Sequence, residues 1–287
     1  MNESLRTIDG RSVLRMERRL KHPPQKVWRA ITEPEHLRQW FPAAMETELR
    51  VGADIAFDFG DRATPAPGGV ITELDPPRVF AFTWGDDLLH WEILPDGAGS
   101  VLVLTYTFSD HYGAASFASG WETCIDALEQ VLDGRPVDAP RPSAERHDAY
   151  VMEFGLDEGV AEETPGGWQV RFERQLTRPV DAVWAALTAG ATVTPGDPAP
   201  PAVTAAEIPA GAVTSSDPPN LIEYAWLAGG EPAGLVRWEL KEGTGHGARL
   251  VLTQTGPRER ADERATALAA WKTHLQRLAK HLAATAG

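Results

Sequence analysis

The sequence has only one cysteine, Cys124, among its 287 residues. One thiol cannot form an internal disulfide or supply paired thiolates to a zinc ion, which excludes a disulfide scaffold and a cysteine-rich zinc site. The eight histidines are scattered, and the sequence has no His-x-x-x-His pair, phosphate-binding loop or dinucleotide fingerprint. It therefore predicts neither a metal nor a cofactor.

Basic residues are also scarce. The chain has 27 lysines and arginines against 41 aspartates and glutamates, which gives a net charge of −14. A negative field of this size repels phosphate backbones and anionic lipids, so we expect no nucleic-acid partner. No apolar run approaches the roughly 18 residues of a membrane span, and residues 1–14 lack the apolar core of a secretory signal. We expect a cytoplasmic protein without membrane insertion; no protein partner is indicated.

The most informative feature of the sequence is an internal repeat. Residues 15–32 (RMERRLKHPPQKVWRAIT) and 171–188 (RFERQLTRPVDAVWAALT) are identical at half of their positions without a gap. Further matches follow in the same order, at residues 75–77 and 217–219, 102–105 and 250–253, and Trp121 and Trp271. Unrelated halves do not give such an ordered series, so we predict two copies of one domain.

The repeat sets the expected domain boundaries. We predict a first domain over residues 1–134, a linker over residues 135–167 and a second domain over residues 168–287. The linker begins and ends in stretches rich in proline or glycine, and residues 143–154 within it have the apolar spacing of a short helix.

Each copy predicts an α+β order of a strand, two short helices, antiparallel strands and one long closing helix. In the first copy the helices are expected from Pro24, over residues 35–40 and over residues 113–132. The strands are expected over residues 12–20, 46–51, 54–59, 70–75, 78–84, 89–94 and 101–108. The second copy has a stretch rich in Gly, Ala and Pro in place of the second short helix, so we expect it to be partly degenerate.

Two motifs resemble a known family. The pattern P-x-x-V-W-x-A-I-T ending at Thr32, followed by P-E-H-L-R-Q-W-F-P, resembles the START-like superfamily, also called SRPBCC or Bet v 1-like. The pattern G-x-I-x-x-x-D-P-P-R-x-F-x-F-x-W, from Gly69 to Trp84, is similar to the branch homologous to the C-terminal domain of the activator of Hsp90 ATPase. The resemblance implies tandem helix-grip domains, each with a curved antiparallel sheet around a long C-terminal helix and a cavity between them.

Aromatic residues of the first copy are the candidate cavity lining. Residue types alone favour an ordinary filled core, whereas the resemblance favours a ligand pocket. The candidates for ligand binding are Trp40, Phe41, Phe57, Phe59, Phe82, Trp84, Trp91, Tyr106, Phe108, Phe117 and Trp121.

The polar candidates are weaker, and we assign no catalytic residue. His90 and Glu92 alternate with apolar residues of their strand, which favours a solvated face over an acid–base pair. Residues 110–112 (Asp-His-Tyr) precede the long helix, where a loop position favours function but Asp110 also fits a helix cap. Cys124 lies on or beside the core face of the long helix, so we expect an inert thiol.

These observations favour a binding protein over an enzyme. We predict non-catalytic binding or sequestration of a hydrophobic small molecule, such as a lipid, a polyketide or an aromatic natural product. Some members of the resembled superfamily sequester toxic metabolites in antibiotic producers, so self-resistance or secondary-metabolite biosynthesis is a specific form of this hypothesis. The alternatives are an enzyme like the polyketide cyclases and aromatases, which needs at least two polar groups in the cavity, and a regulator of an Hsp90-type chaperone.

Overall fold

The computed structural model describes residues 2–60, 67–137 and 143–285. The chain divides into two compact units, Met1–Ser143 and Ala144–Gly287. Each unit has one antiparallel sheet and one long C-terminal helix, which confirms the predicted α+β class and tandem helix-grip fold. Within the described ranges, no helix combines the length and apolar character needed to cross a membrane.

The first unit is an eight-stranded sheet with three α-helices in its described part. Its strands are β1 (Asn2–Ile8), β2 (Arg11–Leu20), β3 (Ala44–Glu46), β4 (Asp54–Asp58), β5 (Gly69–Asp75), β6 (Val79–Trp84), β7 (Asp87–Asp96) and β8 (Gly99–Phe108). Its helices are α1 (Pro24–Thr32), α2 (Pro34–Trp40) and α3 (Ala114–Leu132). The strand order is β1-β2-β8-β7-β6-β5-β4-β3.

Prolines set the two short helices apart. Pro24 starts α1 at a position where its missing N–H costs nothing, because the first amides of a helix have no intrahelical acceptor. Pro34 then disfavours helical backbone at Glu33, which is extended with ψ of 126°. The chain therefore turns between the helices, and Trp40 at the end of α2 donates from Nε1 to the Ala30 carbonyl oxygen at 2.9 Å.

The sequence interpretation missed β1. Its residues pair with β2 through a tight turn at Asp9 and Gly10, whose φ angles are 50° and 79°. Positive φ at both central residues is typical of the type I′ hairpin turn, for which Asp-Gly is a favoured sequence. The first sheet therefore begins one strand earlier than predicted.

The predicted strand over residues 46–51 is wrong. The observed strand β3 ends at Glu46, and the following residues turn instead of pairing. The Thr47 hydroxyl donates to the Asp54 carbonyl oxygen at 2.8 Å, and Gly52 has φ of 82°. A left-handed glycine between two short strands favours a turn, so the apolar residues Leu49 and Val51 are exposed.

The second unit is a six-stranded sheet in the order β11-β12-β13-β14-β10-β9. Its strands are β9 (Val160–Thr164), β10 (Gly167–Gln175), β11 (Ala210–Asp217), β12 (Leu221–Ala228), β13 (Glu231–Glu242) and β14 (Ala248–Pro257). Its helices are α4 (Ala144–Glu153), α5 (Val180–Thr188) and α6 (Glu263–Ala284). Where the first unit has α2, residues 189–209 contain no α-helix but a short 3-10 turn, Pro201–Val203.

Much of the segment expected as a linker folds with the second unit. Strand β9 pairs with β10 as β1 pairs with β2, so each sheet starts with a hairpin. Helix α4 is joined to β10 by an ion pair between Asp148 Oδ1 and Arg174, 3.2 Å apart. The repeated unit therefore includes an N-terminal strand that the sequence match does not cover.

The hairpin turn gives a stability prediction. Gly10→Ala should lower the free energy of unfolding by about 1 kcal/mol, because an L-residue is strained at this positive φ. A methyl group there would meet no atom within 4 Å, so the loss comes from the backbone alone. Urea denaturation followed by circular dichroism measures it.

The matched control is Gly166→Ala in the corresponding turn of the second unit. Gly166 lacks a positive φ and also has open space around it, so this variant should lose no stability. Equal stability of Gly10→Ala and the wild-type protein would contradict the assigned turn.

Candidate functional site

Most of the aromatic candidates pack against one another in the core of the first unit. The Phe57 and Trp84 rings stack with centroids 4.6 Å apart, and Trp40 meets Trp91 edge to face at 5.8 Å. Contacts of this kind stabilise a core beyond the burial of apolar area. The fully or nearly buried candidates are Trp40, Phe41, Phe57, Phe82, Trp91, Tyr106, Phe108 and Trp121.

One edge of this aromatic cluster opens into a pocket of about 340 Å³ between α3 and the sheet. Helix α3 presents one face to it, because residues spaced by three and four share a side of a helix. The sheet contributes the end of β6, the start of β7 and the C-terminal part of β8. The lining residues are Pro42, Pro67, Trp84, Asp87, Tyr106, Ser116, Phe117, Gly120, Trp121 and Cys124.

The pocket contains only part of the predicted set. Trp84, Tyr106, Phe117 and Trp121 line it, whereas the other aromatic candidates do not. Sequence reasoning missed Asp87, Ser116, Gly120, Cys124 and the two prolines. The helical period from Phe117 to Trp121 could have identified Gly120 and Cys124, which lie on the same side of α3. No comparable signal marked Asp87, which lies between the strands predicted over residues 78–84 and 89–94.

Asp87 and Tyr106 form the polar part of the pocket. The Tyr106 hydroxyl donates to Asp87 Oδ2 at 2.7 Å, and the Arg11 guanidinium lies 3.5 Å from Asp87 Oδ1. Burial raises the pKa of the Asp87 carboxyl, and the hydrogen bond from Tyr106 and the charge of Arg11 offset this only in part. Burial likewise raises the pKa of Tyr106, so its hydroxyl stays a neutral donor.

Cys124 lies half-buried in the pocket wall. Burial raises the pKa of its thiol to about 12. The thiolate is the nucleophilic form, so this cysteine is a poor nucleophile at neutral pH. Its place in the wall gives the pocket a small, polarisable apolar contact instead.

The other polar candidates lie away from the pocket. His90 Nε2 is 3.4 Å from Glu73 Oε2 on the opposite face of the sheet, where Glu92 also lies. His111 Nδ1 and the Ser12 hydroxyl share a hydrogen bond of 3.0 Å at the start of α3. These contacts are structural.

One cluster in the described residues has ligand atoms close enough together to hold a cation: Glu33, Glu35 and His36. His36 Nε2 lies 3.2 Å from Glu33 Oε2 at the exposed junction of α1 and α2. This pairing accounts for the cluster, since acidic groups near a histidine are common on helix surfaces.

One protein-family model and several solved structures match this chain. The family model described as Activator of Hsp90 ATPase homolog 1-like protein matches residues 21–133 and 203–283. No curated protein matches the chain. Among solved structures, CalU16 from Micromonospora echinospora is 23% identical, and the match covers 53% of this chain and 96% of that protein, with a TM-score of 0.43.

Two further solved structures differ in how much of the chain they match. EF2215 from Enterococcus faecalis, a conserved protein of unknown function, is 22% identical over 53% of this chain and 89% of its own, with a TM-score of 0.45. DynU16, from the dynemicin biosynthetic locus, is 16% identical over 94% of this chain and 98% of its own, with a TM-score of 0.42.

The partly buried Asp87 carboxyl gives a pH prediction. With its pKa raised in the folded protein, Asp87 binds its proton more tightly there than in the unfolded chain. Its contribution to the free energy of unfolding should therefore decrease as the pH rises from about 4 through the raised value. The Asp87→Asn variant should not show this decrease in the free energy of unfolding. Urea denaturation of both proteins at several pH values measures the difference.

The matched control is Glu92→Gln, which removes a carboxyl from the opposite face of the same strand. Because this residue does not line the pocket, a change in the pH profile seen only with Asp87→Asn is assigned to the pocket carboxyl. A wild-type and an Asp87→Asn profile that run parallel across the whole range would refute the raised pKa.

Proposed function

Because the chain belongs to the family of Activator of Hsp90 ATPase homolog 1-like proteins, we propose that its first unit binds and sequesters a hydrophobic small molecule. The observation that supports this proposal is the pocket of about 340 Å³ between α3 and the sheet. Its size lies within the ordinary range for small-molecule sites, and its walls are mainly apolar with a few convergent polar groups.

The lining favours a ligand that contains rings. Trp84, Phe117 and Trp121 offer flat aromatic surfaces, and covering apolar area yields about 25 cal/mol per Å². Polyketides and aromatic natural products fit these walls better than a flexible lipid chain, which loses more conformational freedom on binding. Self-resistance by sequestration of a toxic metabolite is the specific form of the proposal.

Binding without turnover is favoured by the state of two titratable groups of the pocket, Cys124 and Tyr106. The raised pKa values keep the Cys124 thiol and the Tyr106 hydroxyl protonated. A protonated thiol and a neutral phenol are poor nucleophiles and poor bases. Such a lining holds a ligand without attacking it.

Gly120 on α3 provides a sharp test. A Cβ atom there would meet no heavy atom within 4 Å, so a side chain can be added at the pocket mouth without a clash. Gly120→Leu should fill the mouth and weaken binding of N-phenylnaphthylamine, an apolar ring-bearing fluorophore, by about tenfold or more. Dye fluorescence measures binding, and the indole N–H signals of Trp84 and Trp121 in NMR spectra report the site.

The matched control is Gly120→Ala, which adds a methyl group without filling the mouth. It should bind the dye like the wild-type protein and gain up to about 1 kcal/mol of stability, since alanine favours a helix. The proposal would be contradicted if Gly120→Leu bound the dye as tightly as the wild-type protein. It would also be contradicted if dye binding did not shift the NMR signals of Trp84 and Trp121.

One observation favours an enzyme as the second candidate. The Asp87 carboxyl and the Tyr106 hydroxyl both line the pocket and are hydrogen-bonded to each other at 2.7 Å. This pair meets the requirement of two polar groups, and a carboxyl with a raised pKa suits proton transfer of the kind a polyketide cyclase needs.

Under this alternative, Asp87→Asn should lower cyclisation of a linear poly-β-ketone thioester by at least about a hundredfold, because the proton-transfer group is lost. Product formation followed by mass spectrometry measures it, with Glu92→Gln as the unaffected control. No cyclisation by the wild-type protein would eliminate the enzyme hypothesis and leave the binding proposal standing.

A further inference from the structure

The second unit has a pocket of its own at the corresponding place. It has a volume of about 300 Å³ and lies between α6 and the end of β12. By the sequence repeat, Trp226 corresponds to Trp84 of the first unit, and both line their pockets. The lining residues are Glu207, Ile208, Pro209, Trp226, Leu227, Ala228, Gly229, Gln254, Arg260, Glu263, Thr266 and Ala267.

Two replacements give this pocket a different chemistry. Gln254 stands where the first unit has Tyr106, and Ala267 stands where it has Phe117. An aromatic wall is thereby exchanged for a methyl group, and a phenol is exchanged for a carboxamide. The second pocket keeps one aromatic wall, from Trp226, and gains an amide.

The carboxamide of Gln254 is held in one orientation. Its side chain is buried, with 1% of the residue exposed. Trp271 Nε1 donates to Gln254 Oε1 at 2.6 Å. An indole N–H can only donate, so the oxygen must face Trp271 and the NH₂ group must face away from it.

The NH₂ group of Gln254 is therefore an unused donor. Within the described parts of the chain, Nε2 has no hydrogen-bond partner, while the residue lines the pocket. A ligand oxygen placed in the pocket could accept a hydrogen bond from this donor, which contributes to binding. This arrangement favours a ligand that carries a hydrogen-bond acceptor.

The charges around the pocket indicate that this acceptor is neutral. Arg260 is paired with Glu263, with 2.8 Å between Nη1 and Oε1. Glu207 adds a second acidic side chain to the lining. Two acidic groups against one guanidinium leave an excess of negative charge, which disfavours a carboxylate or phosphate and favours a carbonyl oxygen.

We propose that the second unit binds a neutral, ring-bearing molecule through a carbonyl oxygen that accepts a hydrogen bond from Gln254 Nε2. The rings lie against Trp226, whose indole is fixed by donation from Nε1 to the Thr255 carbonyl oxygen at 2.7 Å. Ile208 and Ala267 complete the apolar wall. The two units then bind ligands of different chemistry on one scaffold.

Two probes isolate the hydrogen bond. Methyl naphthyl ketone carries the carbonyl, and ethylnaphthalene has the same rings without it. In the full chain, the ketone should bind about tenfold more tightly at the second unit, as one well-placed hydrogen bond provides. In Gln254→Met, which replaces the carboxamide with an apolar side chain of similar length, the two probes should bind equally. The indole N–H signals of Trp226 and Trp271 report binding at this site.

A second variant keeps the test valid if Gln254→Met unfolds after losing the bond to Trp271. Ala267→Phe introduces the residue that the first unit has at the corresponding position, and it should exclude both probes from the second pocket. Gly120→Leu alters only the first pocket, so it should leave ketone binding at Trp226 unchanged.

Three outcomes would overturn the proposal. The first is equal affinity of the two probes in the wild-type protein. The second is a tenfold preference that persists in Gln254→Met. The third is ketone binding that Ala267→Phe leaves intact. Failure of dye binding in the first unit would bear on the proposed function alone.

Discussion

The packing of one tryptophan of the long helix onto the sheet is the contact on which each unit depends. In the first unit, Trp121 lies 5.6 Å from the Trp91 ring and 5.7 Å from the Phe41 ring, measured between centroids. In the second unit, Trp271 lies 5.8 Å from Trp238. In the first unit the Trp121 indole also lines the pocket, whereas in the second unit Trp271 fixes the pocket residue Gln254 by donating to its Oε1. The same tryptophan position thus joins the core of each unit to the residues around its pocket.

The shared scaffold allows the two pockets to diverge without a change of fold. The residues that make the repeat visible, such as the Asp-Pro-Pro corners and the helical tryptophan, lie in the core or at turns. The residues that differ, Tyr106 against Gln254 and Phe117 against Ala267, face the pockets. A substitution on a pocket wall changes ligand chemistry at less cost to stability than one in a packed core, because fewer neighbours must move.

Much of the fold could be predicted from the sequence. Helical and strand periodicity can be seen within short segments, and the repeat can be seen by comparing the sequence with itself. Strand β1 was missed because its charged residues do not give the pattern of a half-buried strand, and the Asp-Gly turn after it was overlooked. The prediction of a strand over residues 46–51 was wrong because the chain turns at Gly52. The pocket was harder to predict. Whether an aromatic side chain fills the core or lines a cavity depends on sheet curvature and on side-chain rotamers. Asp87 becomes a pocket residue only when β7 is aligned with β8 and α3.

The edge strand β9 has a consequence for behaviour at high concentration. A sheet edge with unpaired amides invites the addition of strands from other molecules. Strand β9 closes one side of the second sheet, and it carries Glu162 and Glu163 next to each other in an exposed segment. Two copies approaching edge to edge would bring these carboxylates together and repel. Adjacent acidic side chains on an edge strand therefore disfavour edge-to-edge association of two copies.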